Sequence, residues 1–382
     1  EWIESYGIKF VLGEAKFNQE KSLRIVDFDP EKSSDEFKEK GDEPVLEFDK
    51  CIIATGSRAY VPPIPGLDKV PYLTNHNIFD LKEVPKELLI LGTGPIGVEM
   101  ADAFSNLGSK VSLIGIMPHI LQRADEELAM RLEDKLKSKG VKVLVANTES
   151  IEKFEGGIRL NTKEGETIEG DQFLVATGRQ ANLDLDLEKA GIEATRRGIK
   201  INKYARTSNP NVYAIGDCAL GVPKFTHFAA HMGLVINTNL TLQKYLKIPL
   251  HISKIKTKNV PAITFTSPEL AEAGLTEKAA IEKYGKDKVK VFRLDFNGVD
   301  RAKATGHEQG IVKIVTKGLF SRIVGVHILA GRGGEMLPEF QRLIDKKANI
   351  FSLNSVIRAY PSYTANMYQL FTAWIGSFGS KK

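Results

Sequence analysis

The spacing of hydrophobic residues changes along the chain, and each change marks an element. Residues 8–17 (IKFVLGEAKF) and 22–28 (SLRIVDF) are β-rich runs on either side of a short polar gap, which predicts a hairpin. Residues 31–43 (EKSSDEFKEKGDE) are polar with both charge signs mixed, and read as a solvated loop. Residues 48–59 (FDKCIIATGSRA) read as a buried strand ending at Thr55-Gly56, and VPPIPGL (61–67) as a stiff connector.

From 88 to 150 the pattern alternates. Strands are expected at 88–92, 110–115 and 141–146, with helices at 95–108 and 125–140 between them. This order predicts a parallel sheet with crossover helices. Strands are expected at 158–162, 167–169 and 172–176, the last running into Thr177-Gly178. Residues 207–219 (TSNPNVYAIGDCA) read as a turn, a short buried strand and then Gly216-Asp217. Residues 225–246 read as one helix and 251–259 as a linker. Strands at 260–266, 288–296, 310–316 and 322–329 and helices at 333–347 and 366–376 complete the chain. ATGS (54–57) and ATGR (176–179) each close a strand in a similar setting, which points to two related folds in one chain.

Composition narrows the class. The 382 residues suffice for two or three domains. The net charge of +5 gives little reason to expect nucleic acid or an anionic membrane as partner. No apolar run approaches the length of a membrane span. Cys51 and Cys218 lack partner spacing and read as buried free thiols, which fits a reducing, cytoplasmic compartment.

The chemistry begins at LLILGTGPIGVEMA (88–101). Gly92, Gly94 and Gly97 follow an expected strand and open an expected helix, the context of a dinucleotide turn. The first glycine permits the tight turn, the second lets backbone approach a pyrophosphate, and the third allows close helix packing. The helix-start amides then face the phosphates. At the end of the next strand stands Gly115, followed by Ile116 and Met117. An acid for a ribose hydroxyl is absent there, and so is an Arg for a 2′-phosphate. His119 and Arg123 read as surface side chains, so NAD and NADP both stay open. Asp217 at a strand end is a second candidate, able to accept from sugar-like hydroxyls. His227 and His231 have helical i, i+4 spacing without a companion Glu or Cys, and no metal is expected.

In order along the chain, several stretches resemble the flavin-dependent pyridine nucleotide–disulfide oxidoreductases, a family that includes dihydrolipoamide dehydrogenase, glutathione reductase and mercuric reductase. They are KCIIATGSRAYVPPIPGL, LILGTGPIGVEMADAFSNLGSKV, FLVATGRQAN, TSNPNVYAIGDC, KFTHFAAHMG, VPAITFTSPELAEAGLTE and GVHILAGRGGEML. The resemblance implies an α/β chain with two nested Rossmann-like nucleotide-binding domains and an α+β dimerisation domain. It implies an FAD-binding domain at 1–83, an NAD(P)-binding domain at 84–183, a return to the FAD domain at 184–250, and dimerisation at 258–382. Gly13, Thr55, Gly56 and Ser57 match positions near FAD, and Asp217 matches the acid at the flavin's ribityl or phosphate region. Lys224, Phe225, Thr226 and His227 match the segment lying against the flavin ring. Gly92, Thr93, Gly94, Pro95, Ile96, Gly97, Val98 and Glu99, with Gly178, match the NAD or NADP site. Glu99 is also expected to help position the contact between flavin and nicotinamide. The implied reaction passes a hydride from NAD(P)H to FAD, then to a redox disulfide and an acceptor. That acceptor is a small molecule or a disulfide.

Departures from the family pattern carry their own expectations. An FAD-binding G-x-G-x-x-G unit and a C-x-x-x-x-C disulfide are expected upstream of Glu1, so the chain is expected to be a fragment that binds FAD weakly or not at all. Where relatives carry H-P-x-x-x-E, AYPSYTA (359–365) puts Tyr360 at the His position and Ala365 at the Glu position. A phenol titrates near pH ~10 and an imidazole near ~6.5, so one does not simply replace the other. Tyr360, contributed across a homodimer, is the catalytic candidate beside an interface-aromatic reading. The chain ends SFGSKK, without mercuric reductase's terminal cysteine pair. A disulfide-free flavin reductase or transhydrogenase is the alternative, and a non-catalytic nucleotide-binding or dimerisation module is another.

Overall fold

LLILG folds as the strand Glu87–Leu91, whose last four residues are buried because it lies inside a sheet. Gln172–Val175 flanks it on one side, and Lys110–Gly115 then Lys142–Val145 on the other, all parallel. A strand covered on both faces needs apolar residues at successive positions, which is why the central run is continuous rather than alternating, while Lys142–Val145 is an edge strand with Val145 exposed. The crossovers are the helices Pro95–Asn106 and Glu126–Ser138. The expected order from 88 to 150 is therefore observed.

The computed structural model describes residues 3–37, 43–247 and 251–379. Two compact units divide the chain: residues 1–58 with 179–257, and residues 59–178 with 258–382. In the first unit, Leu12–Gln19 pairs antiparallel with Ser22–Asp29, and Val45–Glu47 extends the sheet. Cys51–Ile53 runs parallel to Val212–Ala214, and the helix Thr226–Leu246 follows. The second unit holds the parallel sheet and an antiparallel sheet in which Thr148–Phe154, Gly157–Thr162 and Thr167–Gly170 pair in sequence. It also holds a five-stranded antiparallel sheet ordered Ala262–Thr264, Glu269–Gly274, Arg322–Ala330, Ile311–Lys317, Val289–Asp295.

Inside the second unit a charged cluster joins the Glu126–Ser138 helix to that last sheet. Lys313, 3% exposed in its side chain, contacts Asp125 at 2.8 Å, Glu277 at 2.8 Å and Glu127 at 3.0 Å. Arg293 grips both oxygens of Glu127, Oε1 at 3.1 Å and Oε2 at 2.8 Å. Burial alone would raise the Glu127 carboxyl, but the hydrogen bonds from Arg293 and Lys313 outweigh it and hold it at about 2.

Several expectations need correction. The stretch 48–59 is two short strands, Cys51–Ile53 and Ser57–Ala59, with Ile52 exposed; the chain turns at Gly56. In 31–43, residues 38–42 lie outside the described residues. Asp35–Phe37 forms a short helical turn with Phe37 and Ser33 buried, so the segment is anchored rather than fully solvated. Thr148–Phe154 escaped the pattern because Ile151 is its only buried residue. Glu269–Gly274 has the composition of a helix yet sits between two strands, where sheet packing overrides local propensity. The helices Glu277–Tyr284 and Asp300–Ala304 were also not anticipated. Cys218 is buried, whereas Cys51 is only half-buried; burial pushes the Cys51 thiol up to about 11.

Candidate functional site

The glycine turn has the shape its spacing predicts. A Cβ on Gly97 would stand 1.9 Å from the Gly92 carbonyl oxygen, and one on Gly92, at φ +119°, would stand 2.4 Å from the Ala176 oxygen. Both positions are closed to any side chain. Gly94 is different: nothing lies within 4 Å of where its Cβ would be. The backbone is thus open at the one glycine expected to approach a phosphate. Pro95 begins the helix, no acid stands in its first turn, and Val98 packs into the core. Ile96 is half-buried against the same core. These features fit a dinucleotide pyrophosphate at the helix start.

The end of the next strand has a packing explanation. A Cβ on Gly115 would meet Thr93 Cγ2 at 2.6 Å and Oγ1 at 2.7 Å. Thr93 of the turn fills the space that a side chain at 115 would need. Ile116, Met117 and Arg123 are exposed, and the His119 ring is tied to the Ile120 carbonyl at 2.6 Å. Glu99 is half-buried, and its Oε1 accepts from the Phe265 amide at 2.8 Å. Burial raises its pKa, with that hydrogen bond opposing. Gly178 adopts φ +148° with open space around it, and its carbonyl accepts from the Tyr60 amide.

In the first unit, Asp217 gathers several of the expected residues. Ser57 Oγ donates to Asp217 Oδ2 at 2.5 Å, and Arg179 Nε donates to the same oxygen at 3.1 Å. Arg179 also donates to Ser57 Oγ at 2.6 Å and to the Ser57 carbonyl at 2.9 Å. Lys224 Nζ donates to the Arg179 carbonyl at 2.7 Å; burial lowers its pKa, with Asp217 opposing. Thr55 Oγ1 donates to the Asn182 carbonyl, and the Gly56 carbonyl accepts from the Asn182 amide. Phe225 precedes the Thr226–Leu246 helix and stacks on His227 at 5.0 Å. His231 lies on the same helix, and its Nε2 accepts from the Lys256 amide. Among the described residues, no group of three His, Cys, Asp or Glu is arranged to hold a metal.

Arg179 is the residue that sequence reasoning left without a role. The signal for it was present: Ser57 and Arg179 are the fourth residues of the two ATG motifs, and both converge on Asp217. A carboxylate flanked by a hydroxyl, a guanidinium and an ammonium suits a ligand with hydroxyl and anionic groups. Gly13 falls elsewhere, in a bulge of the 12–29 hairpin, where a Cβ would stand 2.4 Å from Ile25 Cγ2.

Tyr360 lies in the second unit. It is 72% exposed, and its hydroxyl donates to Asp300 Oδ2 at 3.0 Å. Ala365 is half-buried. Tyr363, three residues on, contacts Thr305 Oγ1 at 2.6 Å and His307 Nδ1 at 3.3 Å.

Comparison with known proteins now decides the family. Residues 5–233 match the model of pyridine nucleotide-disulphide oxidoreductases, and residues 260–370 match the dimerisation domain of the same family. The chain belongs to the pyridine nucleotide-disulphide oxidoreductase family. Members of this family are flavin-dependent NAD(P)H oxidoreductases. The chain is 34% identical to a mercuric reductase of Staphylococcus aureus over 343 residues, 88% of this chain and 58% of that protein. It is 30% identical to a dihydrolipoyl dehydrogenase of Bacillus subtilis over 378 residues, 97% of this chain and 76% of that protein. The chain therefore spans just over half the length of the mercuric reductases it matches. Its fold is similar to that of the HOCl-induced flavoprotein disulfide reductase RclA from Escherichia coli, with TM-score 0.82 and 28% identity, over 94% of this chain and 78% of that one. Among the described residues, no helix is long and apolar enough to cross a membrane.

Proposed function

We propose that this family member works as a homodimeric FAD-dependent NAD(P)H oxidoreductase that delivers electrons through a redox disulfide to a small-molecule or disulfide acceptor. The observation that carries the reading is the convergence of Ser57 and Arg179 on Asp217, with Lys224 held beside them by the Arg179 carbonyl. It supports a flavin-side site in the same chain as the glycine turn at 92–97. A bound flavin supplies a two-electron carrier between nicotinamide and acceptor.

The chain's own residues bind and orient. The open backbone at Gly94 and the helix-start amides hold the nicotinamide nucleotide's phosphates. Asp217, paired with Arg179, accepts from hydroxyls on the flavin side. Glu99 contributes at the nicotinamide side, with one oxygen committed to the Phe265 amide. Tyr360 holds a proton on its hydroxyl, aimed at Asp300, and is the proton donor we assign to the acceptor site. The domain boundaries we propose are 1–83 and 184–250 for FAD, 84–183 for NAD(P), and 258–382 for dimerisation.

NADH and NADPH titrations, followed by nucleotide fluorescence, test this reading. Saturable binding of one or both is expected, with loss in Gly94→Glu. With FAD in large excess, to offset the weak FAD binding expected of this chain, bleaching of flavin absorbance by the same nucleotide is expected, and two copies per particle in sedimentation. Absence of nicotinamide-nucleotide binding overturns the reading. Binding without any flavin bleaching reduces the chain to a nucleotide-binding module.

A further inference from the structure

The five-stranded sheet ends in a hairpin whose tip breaks the usual surface rule. The turn Gly318–Ser321 joins the strands Ile311–Lys317 and Arg322–Ala330. Its two central residues are Leu319, 69% exposed, and Phe320, 65% exposed. A solvated turn normally carries Gly, Asn, Asp or Ser at such positions. Turn geometry does not call for these two: Gly318 and Ser321 take the positive φ values, and Ser321 closes the turn by donating its amide to the Gly318 carbonyl.

The surroundings of the tip are basic. Gly318 donates to the Lys288 carbonyl at 2.8 Å, which brings the 286–288 turn beside the tip. Ile323 donates to the Ala348 carbonyl and Ile350 donates to the Ser321 carbonyl, which brings the 346–348 segment to its other side. Lys286, Lys288, Lys346 and Lys347 are exposed in these two segments, beside Asp287 and Asp345, while Lys317 stands over the Tyr284 ring and Arg322 is half-buried. The whole chain is only modestly basic, so this charge is local and the net value of +5 conceals it.

We infer that the Leu319–Phe320 tip is a docking site for an anionic phospholipid surface. Two large apolar side chains at a protruding turn enter the acyl boundary of a bilayer, whereas a protein partner would need a groove to receive them. Basic side chains around them meet the lipid phosphates. The site is independent of the redox reading and serves peripheral attachment without a membrane span.

Vesicle co-sedimentation of the full chain tests it, with phosphatidylcholine alone and with a third of the lipid replaced by phosphatidylserine. Binding to the anionic vesicles is expected, with little to the neutral ones, and weakening as salt rises. Leu319→Ser with Phe320→Ser is expected to lower partition about tenfold or more. Lys288→Gln and Lys347→Gln are each expected to lower it about fivefold. These side chains are exposed, so an unchanged melting temperature checks the fold. Phe320→Trp should show a blue-shifted emission on anionic vesicles. The proposal is overturned if the wild-type chain ignores anionic vesicles or the double serine variant binds as well as wild type. A change in oligomer mass in place of vesicle binding overturns it too, assigning the tip to a second copy of the chain.

Discussion

The Tyr360 hydroxyl donates to Asp300 Oδ2 across 3.0 Å. The carboxylate stabilises the protonated phenol, first through this hydrogen bond and then through its charge, so the pKa of Tyr360 lies above the usual value of 10.0. At neutral pH the residue is a held proton rather than a tyrosinate. In Asp300→Asn, tyrosinate formation at this position should begin at lower pH. The check is a near-ultraviolet titration of the variant against wild type, with Tyr360→Phe removing the signal for reference. An unmoved titration rules out the coupling.

Gly97 and Gly94 of the turn should respond differently to a methyl group. Gly97→Ala meets a carbonyl at 1.9 Å and should cost about 2–3 kcal/mol of stability. Gly94→Ala meets no atom within 4 Å and should fold with stability within about 0.5 kcal/mol of wild type. Its nucleotide affinity should nevertheless fall about tenfold, because the added carbon stands where backbone approaches phosphate. Urea melts and NADH titrations on both variants separate packing from binding; equal losses of stability would refute the assignment.

Lys313 pairs with buried Asp125 and with the half-buried Glu127 and Glu277. Lys313→Ala leaves Asp125, 2% exposed in its side chain, without its cation. The expected loss is about 3–5 kcal/mol, read as a shift in the denaturant midpoint. A loss below about 1 kcal/mol would mean that water or rearrangement satisfies the carboxylates, and would remove Lys313 from the set of residues that matter to stability.

His327 sets a stability window on the alkaline side. Its Nδ1 faces Glu272 Oε1 at 2.7 Å and its Nε2 faces the Leu275 carbonyl at 3.1 Å. Both partners accept, so both ring nitrogens donate and the imidazole is charged. Burial opposes the charge, but the Glu272 carboxylate outweighs it, raising the pKa above 6.5. The sign follows from linkage. This contribution is fully present below pH 6.5 and is lost as pH rises through the folded value. Glu127 works in the opposite direction, with stability present above 4.5 and lost as pH falls toward about 2. Urea midpoints measured across pH should decline above 6.5 in wild type and stay flat there in His327→Gln. Parallel curves would exclude His327 as the source.

Much of the fold was legible because burial on both faces leaves a strong local signal. LLILG and KVSLIG lie inside a parallel sheet, and each reads as a strand without help from its neighbours; VKVLVA, at the sheet's edge with Val145 exposed, reads as one from its β-branched residues. The glycine turn was legible because its spacing is local, at Gly92, Gly94 and Gly97, although the carbonyl that closes Gly92 comes from Ala176. Glu269–Gly274 was not legible, since its Glu and Ala content favours a helix and only the strands on either side make it a strand.

The sequence by itself determined the family's motifs, their order and the chemistry each residue type offers. It could not show that Arg179 and Ser57 meet on Asp217, because their partners lie 38 and 160 residues away. Nor could it explain Gly115, which reads as a missing acid but is a space already filled by Thr93. Tertiary structure decided these matters. Hydrogen bonds and steric exclusion act over a few ångströms of space, and only the folded chain brings residues that are distant in sequence within that reach.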